Sequence, residues 1–349
     1  MSKLFMVSIF SLLLIFAGCS EDSGSGNDPD PVTPPARLVV DTLASPAFSG
    51  VDEAVWSTLA DSATAYIEIG GSALYGRNST LGTDTVVIQA IVKGGMIYIR
   101  AKWHDGTQND MGGYIEFRNS NWSRETYHGD DKFMIIFGKA QSTQKADCAA
   151  MCHVTYHKAD VDTVDFWSWS STKTAPGKMS DDGYWNSVYD SYDNESSVVN
   201  KYVWRRNWNA GNAYPYWMPA TNPTTFTGEV LYLTEVQDFD AFLSWPDQDS
   251  LPGYAIDTSI FNLSPAGNQW DVKALSEYEV SGVSTLLNTW TVVFKRPLNT
   301  GYATDIDLST LDSIQIAIAA TTNDFTGMFT GATIVPHSGS KPFWLILKP

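Results

Sequence analysis

The stretch that decides the fold is Thr85–Trp103, which reads TVVIQAIVKGGMIYIRAKW. Two runs rich in β-branched and aromatic residues stand on either side of Gly94-Gly95. Paired glycines adopt the positive φ angles of a two-residue turn at little cost, so this pattern is typical of an antiparallel hairpin. The stretch therefore predicts two neighbouring strands, the second of which ends near Trp103.

Other strand-like segments share short apolar runs bounded by Gly, Asn, Ser and Pro. They are Val39–Leu43, Ala65–Ile69, Lys132–Phe137, Gly228–Thr234, Asp271–Glu279, Trp290–Arg296, Ile314–Ala319 and Phe343–Leu347. Helical periodicity is scarce, and only Ala146–Lys158, Glu235–Leu243 and Thr310–Ile314 read as short helical turns or irregular loops. The pattern predicts an all-β sandwich with long loops and a few short helices.

The N-terminus has the pattern of an export signal. Lys3 supplies positive charge, and Leu4–Phe16 is an apolar run too short to span a bilayer comfortably. Small residues precede Cys19 as in the lipobox of bacterial lipoproteins, although Phe16 departs slightly from the usual preference. The alternative is a plain secretory signal with a chance cysteine. We predict a signal peptide over residues 1–18 and lipidation of Cys19.

Residues 19–37 are predicted to be a flexible tether behind the lipidated cysteine, because they are acidic, Gly/Ser-rich and then Pro-rich. No second linker follows, so residues 38–349 are predicted to form one body. The lipid would hold this exported body at a bacterial membrane. We expect the outer membrane, with the body in the periplasm or at the cell surface.

The composition excludes some partners. The net charge of −17 argues against nucleic acid and anionic lipid surfaces, and it suits a soluble protein that meets a basic partner. The chain is rich in aromatic residues, with 13 Trp, 16 Tyr and 16 Phe. Such residues could fill a large core, line a cofactor pocket or form a glycan-binding platform, and composition does not distinguish these three uses.

The segment DCAAMCH, Asp147–His153, indicates a cofactor. Two cysteines followed by a histidine attach a c-type haem through two thioethers and ligate its iron. Cys148, Cys152 and His153 are the predicted residues, with a gap one residue longer than usual. The chain has 3 cysteines. If Cys19 carries lipid, the other two are Cys148 and Cys152. A Cys148–Cys152 disulfide is the alternative, and a zinc site lacks a second cysteine pair.

Several stretches together resemble the haem-binding domain related to the ethylbenzene dehydrogenase gamma subunit and the dimethyl sulfoxide reductase-like cytochromes. They are Ile99–Thr107, Asp130–Phe137, Cys148–His153, Val164–Trp169, Asp181–Trp185, Trp290–Thr300 and His337–Leu345. The resemblance runs from about Leu38 to the C-terminus. It implies an immunoglobulin-like (DOMON-like) β-sandwich that holds one haem and transfers electrons by an outer-sphere route. The covalent cysteine pair departs from the family's b-type pattern.

The distal iron ligand is not fixed by the sequence. His337 is the first choice, because it lies in a C-terminal segment that resembles the family's. The alternatives are Met134, His104 and Lys341, with His157 and His128 less favoured. Met134 lies on an apolar strand, where methionine commonly fills a core.

Three tryptophans, Trp103, Trp167 and Trp169, are candidates for the wall of the haem pocket, and core packing explains them equally well. Asp165, Asp181 and Asp182 are read as groups that bond a ligand or cap a turn. The acidic pair Asp181-Asp182 also suggests calcium, but no oxygen-ligand loop of the right spacing accompanies it.

The sequence thus predicts a membrane-anchored monohaem c-type cytochrome rather than an enzyme. Its partner would be a redox protein, either a molybdenum oxidoreductase or a membrane quinol-linked donor. The alternatives are a haem subunit of a molybdenum oxidoreductase complex and a haem-free glycan-binding surface lipoprotein. No Gly-x-Ser-x-Gly or His-Glu-x-x-His motif supports hydrolysis.

Overall fold

β-strands dominate the described part of the chain. The computed structural model describes residues 36–71, 84–108, 114–124, 131–138, 164–185, 204–221, 230–247, 249–260, 270–284, 287–303, 305–321 and 337–348. Its short 3-10 helices are Ala54–Thr58, Asp61–Ala63, Ala175–Gly177, Thr258–Ile260 and Leu308–Thr310. Within these ranges no helix is long and apolar enough to cross a membrane.

Twenty strands are described. They are β1 (Arg37–Val39), β2 (Thr64–Gly71), β3 (Asp84–Lys93), β4 (Met96–His104), β5 (Ile115–Arg118), β6 (Asn121–Arg124), β7 (Lys132–Phe137), β8 (Val164–Ser170), β9 (Asp181–Trp185), β10 (Trp204–Arg206), β11 (Trp217–Pro219), β12 (Leu231–Tyr232), β13 (Val236–Asp238), β14 (Asp249–Leu251), β15 (Tyr254–Ile256), β16 (Lys273–Glu279), β17 (Thr289–Pro297), β18 (Ser313–Thr321), β19 (His337–Ser340) and β20 (Phe343–Ile346).

One large sheet forms the body. Its order is β16-β17-β4-β3-β2-β19-β18-β7-β8-β9, and β20 pairs with β18 and carries β1 in parallel. The sheet curls on itself: β4 and β7 are distant in this order, yet the rings of Trp103 and Phe133 stack with centroids 4.9 Å apart. The predicted all-β, sandwich-like fold is confirmed.

The hairpin that anchors the sheet is formed as the sequence predicts. Val92 lies opposite Ile97, and Gly94 and Gly95 close the turn at φ +59° and +77°. Along β4, Ile99 and Trp103 point into the core, so the period of two buries one face.

The other face of this hairpin is also covered. Tyr98 of β4 packs with Ile91 and Val293, against Val51 and Trp56 from the segment before β2. Burial on both faces near the turn explains why Ile91 and Tyr98 interrupt the alternation with further apolar residues. The same face of β4 turns polar at Arg100 and Lys102.

Two segments differ from the sequence prediction. The first strand was placed at Val39–Leu43 by the sequence pattern, but it is β1, which ends at Val39. The chain turns after it because the Asp41 carboxylate accepts hydrogen bonds from the backbone N–H groups of Leu43 and Ala44. Glu235–Leu243 contains the predicted short turn, at Asp240–Leu243, but its first part is the strand β13, which pairs with β11.

A second packing region lies in the stretches around residues 115–124 and 204–256. Short sheets β14-β5-β6, β10-β15-β12 and β11-β13 build it. Its apolar cluster contains Met218, Trp245 and Leu251, with Phe117 and Trp122 packed against it. Within residues 204–219 the chain contributes two of these short strands, β10 and β11. Pro35–Pro349 forms one compact unit that includes this region.

Candidate functional site

One end of the large sheet is marked by buried charges, and we call it the Asp165 end. Here β7 ends at Phe137, β8 begins at Val164, and Phe137 lies opposite Asp165. Residues 139–163, which carry Cys148, Cys152 and His153, connect these two strands. The three residues lie outside the described ranges, but the segment that carries them begins and ends at the Asp165 end.

A fully buried ion pair defines this end of the core. Arg296 continues the inward-facing row of β17 after Trp290, Val292 and Phe294, and its side chain is 0% exposed. Its Nη1 atom donates to Asp165 Oδ2 at 2.7 Å. Charge-assisted pairs of this kind are strong only when their other groups are satisfied.

Further contacts fix the guanidinium. Arg296 Nη2 donates to the Ile306 carbonyl at 2.9 Å, and the Ile306 N–H donates to Asp165 Oδ2 at 3.0 Å. The guanidinium carbon lies 5.1 Å from the centroid of the Trp167 ring. The Arg296–Asp165 pair therefore joins β17, β8 and the connection that follows β17.

Three further carboxylates gather beside this pair. Asp182 of β9, Asp271 just before β16 and Asp305 after β17 each place one oxygen within 4.8 Å of the others. Asp182 is 1% exposed and lies 3.6 Å from Arg296 Nη1, and no described N–H group donates to either of its oxygens.

The acids shift each other's protonation. Burial raises the pKa of Asp182 well above its usual value, and Asp165 raises it further against the opposing effect of Arg296. Burial also raises the pKa of Asp271 to about 6. Although burial alone would lower the pKa of Arg296, the carboxylates of Asp165 and Asp182 raise it, so the guanidinium stays charged.

The three predicted tryptophans lie together in the core. Trp103, Trp167 and Trp169 are at most 1% exposed, and the rings of Trp103 and Trp169 meet edge to face at 6.1 Å. Their indole N–H groups have no hydrogen-bond partner among the described residues. Their role as walls of a haem pocket stays a prediction.

Met134 lies on the opposite face of β7, which we call the outer face. Phe133 and Ile135 point into the core, so Met134 and Ile136 point away from it. In register, Met134 lies between Ala319 of β18 and Ser168 of β8.

The outer face is apolar and buried on one side of Met134, while Ser168, which lies opposite Met134, is polar and half-buried. Ile136, Phe166 and Ala317 lie in the neighbouring row and are at most 1% exposed, although none belongs to the core cluster. Met134 itself is half-buried.

The other candidate ligands are scattered. His104 and Lys341 are exposed. The backbone of His337 pairs with Thr321, which lies opposite Lys132, at the far end of β7 from the Asp165 end. The side chain of His337 lies outside the description, as do residues Cys19, His128 and His157.

Asp165 and Asp182 were singled out in the sequence, but Arg296, Asp271 and Asp305 were not. The sequence pattern could have identified Arg296. It follows Trp290, Val292 and Phe294 at alternate positions of β17, so its side chain is expected to point into the core, where a charge needs an acidic partner. Asp271 and Asp305 carry no such signal, since each precedes or follows a strand.

These features define a curled all-β protein with an ionic cluster at one end of its core. The chain belongs to the ethylbenzene dehydrogenase family, whose model matches residues 53–324. The resemblance seen in the sequence is thereby confirmed. The match includes Cys148, Cys152 and His153, and it ends before His337. A comparison with curated proteins gives no match.

Proposed function

We propose that this protein is an exported, lipid-anchored monohaem c-type cytochrome that carries single electrons between redox partners. The observation that carries the proposal is the position of Cys148, Cys152 and His153 inside the family match. An electron carrier needs no catalytic group, so the chain would not be an enzyme by itself. Lipidated Cys19 would keep it at a membrane, within reach of a quinol-linked donor or another redox protein.

The donor set fits one haem. The thiols of Cys148 and Cys152 would form the thioethers, and the imidazole of His153 would ligate the iron. When bound, the haem supplies one-electron redox chemistry. The chain's own task is to hold the group, to exclude water and to fix the ligands that set the potential. A rigid apolar β-body supports this task.

We infer that Met134, rather than His337, is the distal ligand. Met134 lies on an apolar face whose neighbours Ile136, Phe166 and Ala317 are buried. The family match includes Met134 and ends before His337. Among the described alternatives, a half-buried thioether beside buried apolar side chains is also the donor that best excludes water from the iron.

Replacing the distal ligand should change the spectrum without releasing the haem. We expect Met134→Ala to lose the methionine–iron charge-transfer band of the oxidised protein, because the thioether is gone while both cysteines remain. His337→Ala is the matched variant and should keep that band. A wild-type protein without this band, in which only His337→Ala alters the low-spin spectrum, would assign the ligand to His337. A low-spin spectrum without the band that neither variant changes would point to His104 or Lys341.

A haem subunit of a molybdenum oxidoreductase complex is the second candidate function. Membership of the ethylbenzene dehydrogenase family favours it, since the family suggests a subunit related to such a complex. Co-purification of a large catalytic chain with the tagged protein from its native cells would support this candidate. A stable monomer with reversible redox behaviour would support the free carrier.

The glycan-binding alternative has less support. Such platforms present aromatic rings to solvent, and tryptophan is the commonest choice. Within the described side chains no tryptophan is exposed, and most are buried in the core. Packing thus explains most of the described tryptophans, while the exposed rings among the described residues are Tyr66, Tyr216, Phe242 and Tyr302.

A redox titration tests the carrier function. The full chain, produced in a host with cytochrome c maturation machinery, should reduce and reoxidise reversibly as a single one-electron centre. The visible spectrum provides the readout, with the haem α-band rising on reduction. A colourless protein, or a haem that exchanges ligands irreversibly on reduction, would contradict a carrier with two fixed axial ligands.

A further inference from the structure

We propose that Asp182, Asp271 and Asp305 bind one calcium ion at the Asp165 end. One oxygen of each carboxylate lies within 4.8 Å of the other two. A set of carboxylate oxygens without nitrogen or sulfur donors suits a hard cation. The three residues come from β9, from the residue pair before β16 and from the connection after β17, so an ion would join three separate parts of the chain.

The buried state of Asp182 is the independent observation. Its side chain is 1% exposed, and no described N–H group donates to either oxygen. The group within hydrogen-bonding reach is the Asp271 carboxyl, itself an acid, so the two must share either a proton or a cation. Arg296 Nη1 is 3.6 Å from Asp182 Oδ2, which is too far for a hydrogen bond, and the same atom already donates to Asp165 at 2.7 Å. Buried polar oxygens without a donor are rare and costly, and a cation would supply the missing partner.

The local charge balance points the same way. Arg296 is matched by Asp165 in the buried pair. The electrostatic neighbours of Asp182 are then three carboxylates and this one guanidinium. Asp182, Asp271 and Asp305 therefore form a surplus of negative charge, of which Asp182 is buried and the other two are half-buried. Either bound protons or a bound cation must offset that surplus.

Calcium fits the arrangement better than magnesium. Calcium accepts irregular geometry and bidentate carboxylates, whereas magnesium requires near-ideal octahedral coordination. Three carboxylates on three segments offer up to six oxygens in no regular pattern. The site is independent of the haem, and it lies where the segment 139–163 rejoins the sheet, since Asp165 follows Val164 directly.

The test compares chelated protein with protein given calcium chloride. The full chain is stripped with a chelator, dialysed at a pH well above the pKa of Asp271, and titrated with calcium in a calorimeter and in thermal unfolding. We expect one ion per chain and a rise in Tm of about 5 °C or more at a hundred-fold excess of calcium over Kd. Magnesium should give a smaller rise at equal concentration.

Matched variants locate the ion. Asp182→Asn should abolish both the heat of binding and the calcium-dependent rise in Tm. Asp238→Asn changes an exposed acid on β13 and should leave both unchanged. If Asp182→Asn does not fold, Asp305→Asn takes its place, because Asp305 is only half-buried.

Two outcomes would overturn the proposal. If calcium produces neither heat nor a rise in Tm in the stripped wild-type protein, the carboxylates are neutralised by protons, with Asp182 and Asp271 sharing one. If Asp182→Asn and Asp305→Asn retain the full response, the ion binds elsewhere on this acidic chain.

Discussion

Replacement of Arg296 by methionine is expected to lower the free energy of unfolding by about 3–5 kcal/mol, which is the usual cost of breaking a buried ion pair. The guanidinium is 0% exposed and is the cation nearest to both Asp165 and Asp182. Methionine fills much of the same volume, so the loss would come from charge rather than from a cavity. It would leave Asp165 buried with only the Ile306 N–H as a donor to Oδ2.

Urea unfolding of the Arg296→Met protein measures this loss. Lys102→Met is the matched control. Lys102 lies on β4, the neighbour of β17, and its Nζ atom is 3.2 Å from Glu279 Oε2 in a pair that water reaches. An exposed pair of this kind contributes about 0–1 kcal/mol. If Arg296→Met loses no more than the control, the buried pair is not the support that joins β17 to β8.

The second large effect concerns the haem itself. The double variant Cys148→Ser/Cys152→Ser is expected to lose all covalently bound haem, since both thioethers require a cysteine sulfur. A single variant, Cys148→Ala, should retain haem through one thioether or lose it. Haem staining of a denaturing gel separates covalent from non-covalent haem.

The third cysteine provides the control for this experiment. Cys19→Ser removes the predicted lipid attachment and should leave the haem stain at the wild-type level, while the protein leaves the membrane fraction. Haem staining that survives the double variant would place the attachment elsewhere in the chain. Equal membrane binding of Cys19→Ser and the wild type would argue against the lipid anchor.

Local pattern predicted the fold well where strands are long. The Gly94-Gly95 turn and the apolar runs beside it predict β3 and β4 without tertiary information. The same reading was less accurate for β1 and β13. There a single side chain, Asp41, or pairing with a distant strand decided the outcome, and neither is visible in a short window.

The sequence predicts only part of the candidate site. Asp165 and Asp182 stood out as acids next to aromatic strands, but their common partner is Arg296, far away in the sequence. The curl of the sheet brings β17 to β8, and no local rule predicts that contact. Asp271 and Asp305 join the cluster for the same reason, because only the folded chain brings three loop and strand ends together.

The sheet also separates two roles that the sequence had merged. The core face of β7 and β8 contains Trp167 and Trp169, tightly packed against other rings. The outer face contains Met134 beside Phe166. The tryptophans therefore belong to the core cluster, and Met134 lies outside it.

The most direct test of the account is acid–acetone extraction of the purified wild-type protein, followed by its absorption spectrum. The haem absorbance should stay with the protein, at one haem per chain, because Cys148 and Cys152 would hold the group covalently. Haem that passes into the acetone would show a non-covalent site. A protein that never carried haem, made in a host able to attach it, would contradict the central claim.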